Sequence, residues 1–247
     1  MTNGLLLLHA FPLDASMWEP QVANLSAQTR VVAPNFPGFG RASDPVDVLS
    51  MDLAADAAAH ALMSQGVDAA VVCGLSMGGY AALAFWRRHR SRVKGLVLAN
   101  TRAGADDDVG RDRRKALADR LKSEGNGFLV DSPPPLLSAG APPELWARVK
   151  SIIALQPASA IASASLGMAG RPDSTPDLPG IAVPTLVVTS TGDTLIPPEA
   201  TTPMAEQIPN ARLEVIDGAG HLSNLEAPDL FNELLGAHLS ACGVTSG

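Results

Sequence analysis

A serine stands between two glycines in Gly74-Leu75-Ser76-Met77-Gly78, after the apolar run Ala69–Cys73 and before the helical pattern Met77–His89. A chain that passes directly from strand to helix must turn sharply. Glycines two positions either side of the apex remove the Cβ atoms that would collide across the turn. The Ser76 hydroxyl is then presented at the carboxyl end of a strand. The Met77 N–H lies in the first turn of a helix, whose dipole favours negative charge. The chemistry open to such a residue is nucleophilic attack on an acyl carbon. The alternative is that Ser76 only caps the helix.

A serine hydroxyl is a weak nucleophile near neutral pH, so it needs a base, and the base needs an orienting carboxylate. His60 and His89 fall within helical patterns, His238 lies near the end of the last helix, and His9 ends the first apolar run. His221 stands in Gly218-Ala219-Gly220-His221, a loop between the last apolar run and the last helix. It is the predicted base. Asp193, in Thr191-Gly192-Asp193, follows the preceding run and is the predicted acid. An Asx turn or helix cap ahead of Pro197 and Pro198 is the competing reading for Asp193. An acid after the run Gly95–Ala99 is disfavoured because Asn100 occupies that position. Acyl transfer also needs two donors aimed at the developing oxyanion. The expected pair is the backbone N–H of Met77 and that of Phe11, in the loop His9-Ala10-Phe11-Pro12.

These residues are held by six short apolar runs: Gly4–Leu8, Arg30–Ala33, Ala69–Cys73, Gly95–Ala99, Thr185–Thr189 and Arg212–Ile216. Runs of this length read as strands covered on both faces. Helical patterns at Met51–Ser64, Met77–His89 and Ala227–Leu239 alternate with them, which predicts an α/β fold with a mostly parallel, doubly wound sheet. The stretch 103–184 breaks the alternation. It is rich in proline and holds helical candidates at Arg111–Lys122, Glu144–Ile153 and Pro157–Met168. A structureless loop of that length is rare, so a helical cap inserted between two strands is expected. The predicted core is 1–102 with 185–247.

Composition narrows the function. Apolar residues make up 46% and charged residues 17%, which excludes disorder. A net charge of −7 argues against a nucleic-acid partner. Most of the 18 Lys and Arg lie between Arg87 and Lys122, interleaved with aspartates, and read as solvated helix faces. Cys73 and Cys242 offer neither a disulfide framework nor metal-ligand spacing. No apolar run reaches a membrane span, and no secretory leader is evident, so a cytoplasmic location is expected. No cofactor or metal is expected.

The chain resembles the α/β-hydrolase family over nearly its whole length. The resemblance runs from Leu5-Leu6-Leu7-Leu8-His9-Ala10-Phe11-Pro12, through Phe36-Pro37-Gly38-Phe39-Gly40 and the serine turn, to Gly220-His221. It is most similar to the branch holding 3-oxoadipate enol-lactonases and cofactor-free haloperoxidases and esterases. The order nucleophile, acid, base fits that family. The resemblance implies a triad of Ser76, Asp193 and His221, with Phe11 and Met77 at the oxyanion positions. Three departures stand out. Ala10 replaces the usual glycine after His9, and Asn35 replaces the usual aspartate before the Pro-Gly-Phe-Gly turn. The two N-terminal edge strands usual in the family are expected to be missing, leaving an edge that a partner subunit in a homo-oligomer could cover.

The expected reaction is hydrolysis of a small, mostly apolar ester or lactone through an acyl-enzyme. Peroxide could replace water. Trp146 is the expected pocket aromatic among the sparse charges of the insertion. A carboxylated lactone would need a cation near the site. Arg102 is the one candidate, although a salt bridge to Asp106–Asp108 would equally explain it. A triad-bearing ligand receptor with little turnover is the alternative outside catalysis.

Overall fold

The structure is a computed structural model and describes residues 2–40, 42 and 46–245. Elements follow in the order β1 (Asn3–Leu8), α1 (Glu19–Leu25), β2 (Arg30–Val32), α2 (Met51–Ser64), β3 (Ala69–Leu75), α3 (Met77–His89) and β4 (Val93–Ala99). Then come α4 (Asp108–Glu124), α5 (Gly127–Asp131), α6 (Pro143–Leu155) and α7 (Ala158–Ala169). The chain closes with β5 (Thr185–Ser190), α8 (Pro198–Gln207), β6 (Ala211–Ile216), α9 (Ser223–Glu226) and α10 (Pro228–Ala241).

The six strands form one sheet in the order β2-β1-β3-β4-β5-β6, and every pair is parallel. Helices cover both faces, which is why β1 from Gly4 onward and β3 throughout are buried. The chain leaves β1 outward to β2, then crosses to β3 and proceeds the other way. The reversal falls between β1 and β3. In an open parallel sheet, ligands bind beyond the carboxyl ends of the strands at such a point. The loops there begin at His9 after β1 and at Ser76 after β3. The sheet edge on the β1 side is β2, three residues long, with Arg30 exposed.

The bounds of α2 and α3 coincide with their sequence patterns. Ser50 fixes the first, its hydroxyl accepting from the Leu53 amide at 3.1 Å. β4 begins two residues before the apolar run, because exposed Lys94 lies within it. Helices α1, α5 and α8 have no strong local pattern and were not expected from sequence.

Residues 103–184 hold α4 to α7 and no strand. α4 packs along α7. α7 in turn lies against the segment leading into α2: the Leu49 amide donates to Ser163 O at 3.2 Å, and a Cβ on Gly167 would sit 1.6 Å from Leu49 O. No single helix among the described residues is long and apolar enough to cross a membrane.

Candidate active site

Ser76 adopts φ +56° and ψ −116° at the junction of β3 and α3. A positive φ is costly for a residue with a Cβ and marks backbone held in place by its surroundings. Those surroundings are tight. A Cβ on Gly74 would lie 2.1 Å from Gly78 O, and one on Gly78 would lie 2.0 Å from Leu8 O. The first turn of α3 therefore rests directly on the end of β1. The Ser76 amide donates to Ala99 O at 3.0 Å, and the Thr101 hydroxyl donates to Ser76 O at 2.8 Å. The Ser76 side chain makes no capping bond to α3. Its hydroxyl is left for other work.

Asp193 and His221 meet at the ends of β5 and β6. His221 Nδ1 lies 2.8 Å from Asp193 Oδ2, and both side chains are fully buried. Asp193 Oδ1 accepts the amides of Leu195 and Ile196, each at 2.9 Å. Burial pushes the Asp193 carboxyl up. The His221 contact, the Ile196 amide and the Asn100 side chain outweigh that and hold it below its ordinary value. The two loops are tied together: the Gly192 amide donates to Ala219 O at 2.9 Å, and the Ser190 hydroxyl donates to Gly220 O at 2.6 Å.

His221 Nε2 is buried and has no hydrogen-bond partner among the described residues, the Ser76 hydroxyl included. Catalytic hydrogen bonds of this kind are commonly long or poorly aligned before substrate binds. A continuous set of contacts puts the three residues on one rim of the sheet. Ser76 is bonded to Ala99 and Thr101, and Asn100 between them donates to Asp193 Oδ2 at 3.0 Å.

Asn100 is the residue that sequence reasoning passed over. In the sequence it marks the absence of an acid after β4, and nothing local points to its contacts. In the fold it sits at φ +45°, a region Asn tolerates better than most residues. Its amide also donates to Ser190 Oγ at 2.7 Å, and its carbonyl accepts from Ser223 Oγ at 2.6 Å.

The loop after β1 is equally fixed. His9 is fully buried; Nε2 accepts from the Phe36 amide at 3.1 Å, and Nδ1 donates to Ala10 O at 3.1 Å. Burial lowers the His9 pKa to about 4, so the ring is neutral near pH 7. Asn35 Oδ1 accepts the Ala15 amide at 2.7 Å, so an amide oxygen serves where the family has a carboxylate. The Cβ of Ala10 packs in the core. Neither the Phe11 N–H nor the Met77 N–H has an acceptor among the described residues.

Phe11 and Ser76 line a cavity of about 480 Å³, walled by the inserted helices through Leu117, Phe128, Leu129 and Met168. A second cavity, about 530 Å³ and more open, does not include Ser76.

A model of the alpha/beta hydrolase family matches residues 5–234. The chain belongs to this family. It is 29% identical over 227 residues to 3-oxoadipate enol-lactonase 1 of Acinetobacter baylyi, covering 90% of this chain and 82% of the relative. Among solved structures, a thermophilic esterase from Thermogutta terrifontis superposes with a TM-score of 0.92 at 38% identity, covering 98% of this chain and 92% of that one. The enol-lactonase from Burkholderia xenovorans gives 0.88 at 27% identity, covering 97% and 92%.

The pocket of this α/β hydrolase departs from the sequence expectation at Trp146 and in the number of arginines that reach it. Trp146 does not line it. It lies one turn before Val149 on α6, in the stripe that packs that helix onto the core. Arg102 does line it, and so do Arg114 and Arg120. The basic stretch is therefore not wholly a solvated face. Arg102 is also salt-bridged, its Nη2 lying 2.5 Å from Asp106 Oδ1. Arg114 and Arg171 converge on the same carboxylate. Burial pushes the Asp106 carboxyl up, but the hydrogen bonds from Arg171 and Arg114 hold it far below the usual range. Arg120 pairs with Glu124 and lies over the Phe128 ring.

Proposed function

We propose that the protein hydrolyses carboxylic esters or lactones through an acyl-enzyme, with Ser76 as nucleophile, His221 as base and Asp193 as the carboxylate that orients it. It is a carboxylic ester hydrolase of the α/β hydrolase family, with an esterase and enol-lactonases among its relatives. The observation that carries the residue roles is the Ser76 turn. A strained backbone presents an unused hydroxyl to a cavity, on the rim where the buried His221–Asp193 pair leaves Nε2 unpartnered.

His221 Nε2 takes the Ser76 proton as Oγ bonds to the acyl carbon. The Phe11 and Met77 amides hold the resulting oxyanion, each donor contributing about 3 kcal/mol of barrier reduction in sites of this type. Collapse expels the alcohol oxygen, which takes the proton from Nε2. Water then attacks the acyl carbon and gives its proton to Nε2, and the acid leaves as Ser76 Oγ is reprotonated. Residues 103–184 act as a cap that closes the acyl pocket. Hydrolysis of p-nitrophenyl acetate, p-nitrophenyl butyrate and a set of γ-lactones tests the reading. Rapid mixing should show a burst of p-nitrophenol approaching one per chain. Release no faster than background from every ester and lactone would overturn it.

The arginines favour a second reading, in which the substrate carries a carboxylate. Arg102, Arg114 and Arg171 share the single carboxylate of Asp106, which leaves positive charge in excess beside the cavity. Arg102 Nε is buried and has no partner among the described residues. The T. terrifontis esterase was solved with malate, a dicarboxylate, bound.

A further inference from the structure

Glu226 ends α9, five residues after His221, and plays no part in the acyl chemistry. Its carboxylate is nonetheless heavily used. Oε1 accepts the Gly220 amide at 2.8 Å and the Ser138 amide at 3.0 Å. Oε2 accepts the Ser138 hydroxyl at 2.5 Å and lies 3.1 Å from the Ser138 amide. One carboxylate thus joins the residue before His221 to the inserted segment. On the other side of His221, the Leu222 amide donates to Leu136 O at 2.9 Å. Leu222 is thus bonded directly to Leu136, and Gly220 is linked to Ser138 through the Glu226 carboxylate; Leu136 lines the cavity that holds Ser76.

The backbones are in close contact along this seam: a Cβ on Gly220 would fall 2.3 Å from Ser138 N. The 530 Å³ cavity opens beside it, lined by Ser138, Ala219, Leu225 and Glu226. Leu222, Leu136 and Leu137 are buried in the common core on the inner side of this seam, and its outer side faces the open cavity. On the outer side the Glu226 hydrogen bonds join the loop to the insertion, and bonds made to a charged acceptor are the stronger kind.

We infer that Glu226 is a positioning residue that locks the His221 loop to the cap, so that the wall of the acyl pocket and the imidazole are held in one register with Ser76. The inference rests on the reading of Ser76 and His221 given above. Without Glu226 the Gly220 and Ser138 amides turn to water from the open cavity, and the imidazole loses its fixed distance to the nucleophile. A misplacement of about 1 Å can cost on the order of 100-fold in rate.

The test compares wild type, Glu226→Gln, Glu226→Ala, Ser138→Ala and the double variant Glu226→Ala/Ser138→Ala. Full saturation curves on p-nitrophenyl butyrate, melting temperatures and amide hydrogen exchange are measured on each. Glu226→Ala should lower kcat about 10-fold or more while KM stays within about 2-fold. Exchange at Gly220 and Leu222 should speed up about 10-fold or more as the seam opens. Glu226→Gln, which keeps an acceptor but not the charge, should recover part of the loss. The double variant should be no worse than Glu226→Ala, because both changes act on one contact. An undiminished kcat in folded Glu226→Ala overturns the inference. So does a loss that only tracks the folded fraction, or unchanged exchange at Gly220 and Leu222. An inactive wild type overturns both this inference and the reading beneath it; an active wild type with unaltered variants overturns this one alone.

Discussion

The Asn100 side-chain amide donates at 3.0 Å to the same Asp193 oxygen that lies 2.8 Å from His221 Nδ1. Asn100 is itself held by Ser190 and Ser223, so the carboxylate that aligns the imidazole is aligned in turn by a buried polar cluster. Asn100→Asp removes the donor and places a second carboxylate against Asp193. Two carboxylates at that distance resist joint ionisation, so the pair titrates above the ordinary carboxylate range. A raised folded-state pKa means that stability is lost as pH rises. Denaturant midpoints should therefore show a deficit larger at pH 7 than at pH 5. Asn100→Ala should cost about 1–3 kcal/mol with no such trend, through the partners it leaves unpaired. Equal deficits at both pH values for Asn100→Asp would contradict the contact.

The turn itself predicts where small changes are severe. Gly78→Ala drives a methyl group against Leu8 O, backbone of the neighbouring strand, and nothing flexible can yield. It should cost about 3 kcal/mol or more. Gly140→Ala meets nothing within 4 Å and should fall within about 0.5 kcal/mol of wild type. Chemical denaturation of the two variants checks the contrast, and equal effects would refute it.

Two buried histidines set an acid limit on stability. Burial lowers both His9 and His238 from 6.5 to about 4. Between those values the unfolded chain binds protons that the folded chain excludes. Stability is therefore complete above pH 6.5 and falls as pH drops toward 4. Each group contributes up to about 3 kcal/mol over that window, at about 1.4 kcal/mol per unit. The depressed carboxylates Asp106 and Asp193 act only at lower pH, below their unfolded value near 4. Unfolding free energy should thus decline between pH 6.5 and 4.5, where a carboxylate-only account gives a plateau. A flat profile there would be the wrong result for buried neutral imidazoles.

Arg102 allows the two substrate readings to be separated. If its guanidinium faces a substrate carboxylate, p-nitrophenyl hemisuccinate should be preferred over p-nitrophenyl butyrate in kcat/KM. Arg102→Met should then reduce that ratio by about 10-fold or more, as expected for a hydrogen bond to a charged group. A ratio unmoved by the substitution would assign Arg102 to Asp106 alone and favour the neutral ester.

Much of this was legible before any coordinates. Ser76, Asp193 and His221 each follow a strand-like apolar run, so their placement at strand ends is read locally from β3, β5 and the loop after β6. The bounds of α2 and α3 were legible because Met51–Ser64 is an alanine-rich run without proline and the glycine-flanked Ser76 marks the start of α3. The pocket was not. Which faces of α4 and α6 look inward depends on how α4 packs on α7 and how α6 packs on the core. Arg114 therefore resembles any surface arginine in sequence, and Trp146 resembles a pocket aromatic. Asn100 was hidden for a related reason: its importance lies in contacts with residues about a hundred positions away.

The central claim is that Ser76 is the one acyl-accepting hydroxyl, and covalent labelling tests it most directly. Wild type treated with a fluorophosphonate should carry the phosphonyl group on the peptide containing Ser76, with ester hydrolysis lost in step. Ser76→Ala, with its melting temperature retained, should neither label nor turn over. Labelling at a different serine, or full hydrolysis by folded Ser76→Ala, would contradict the account.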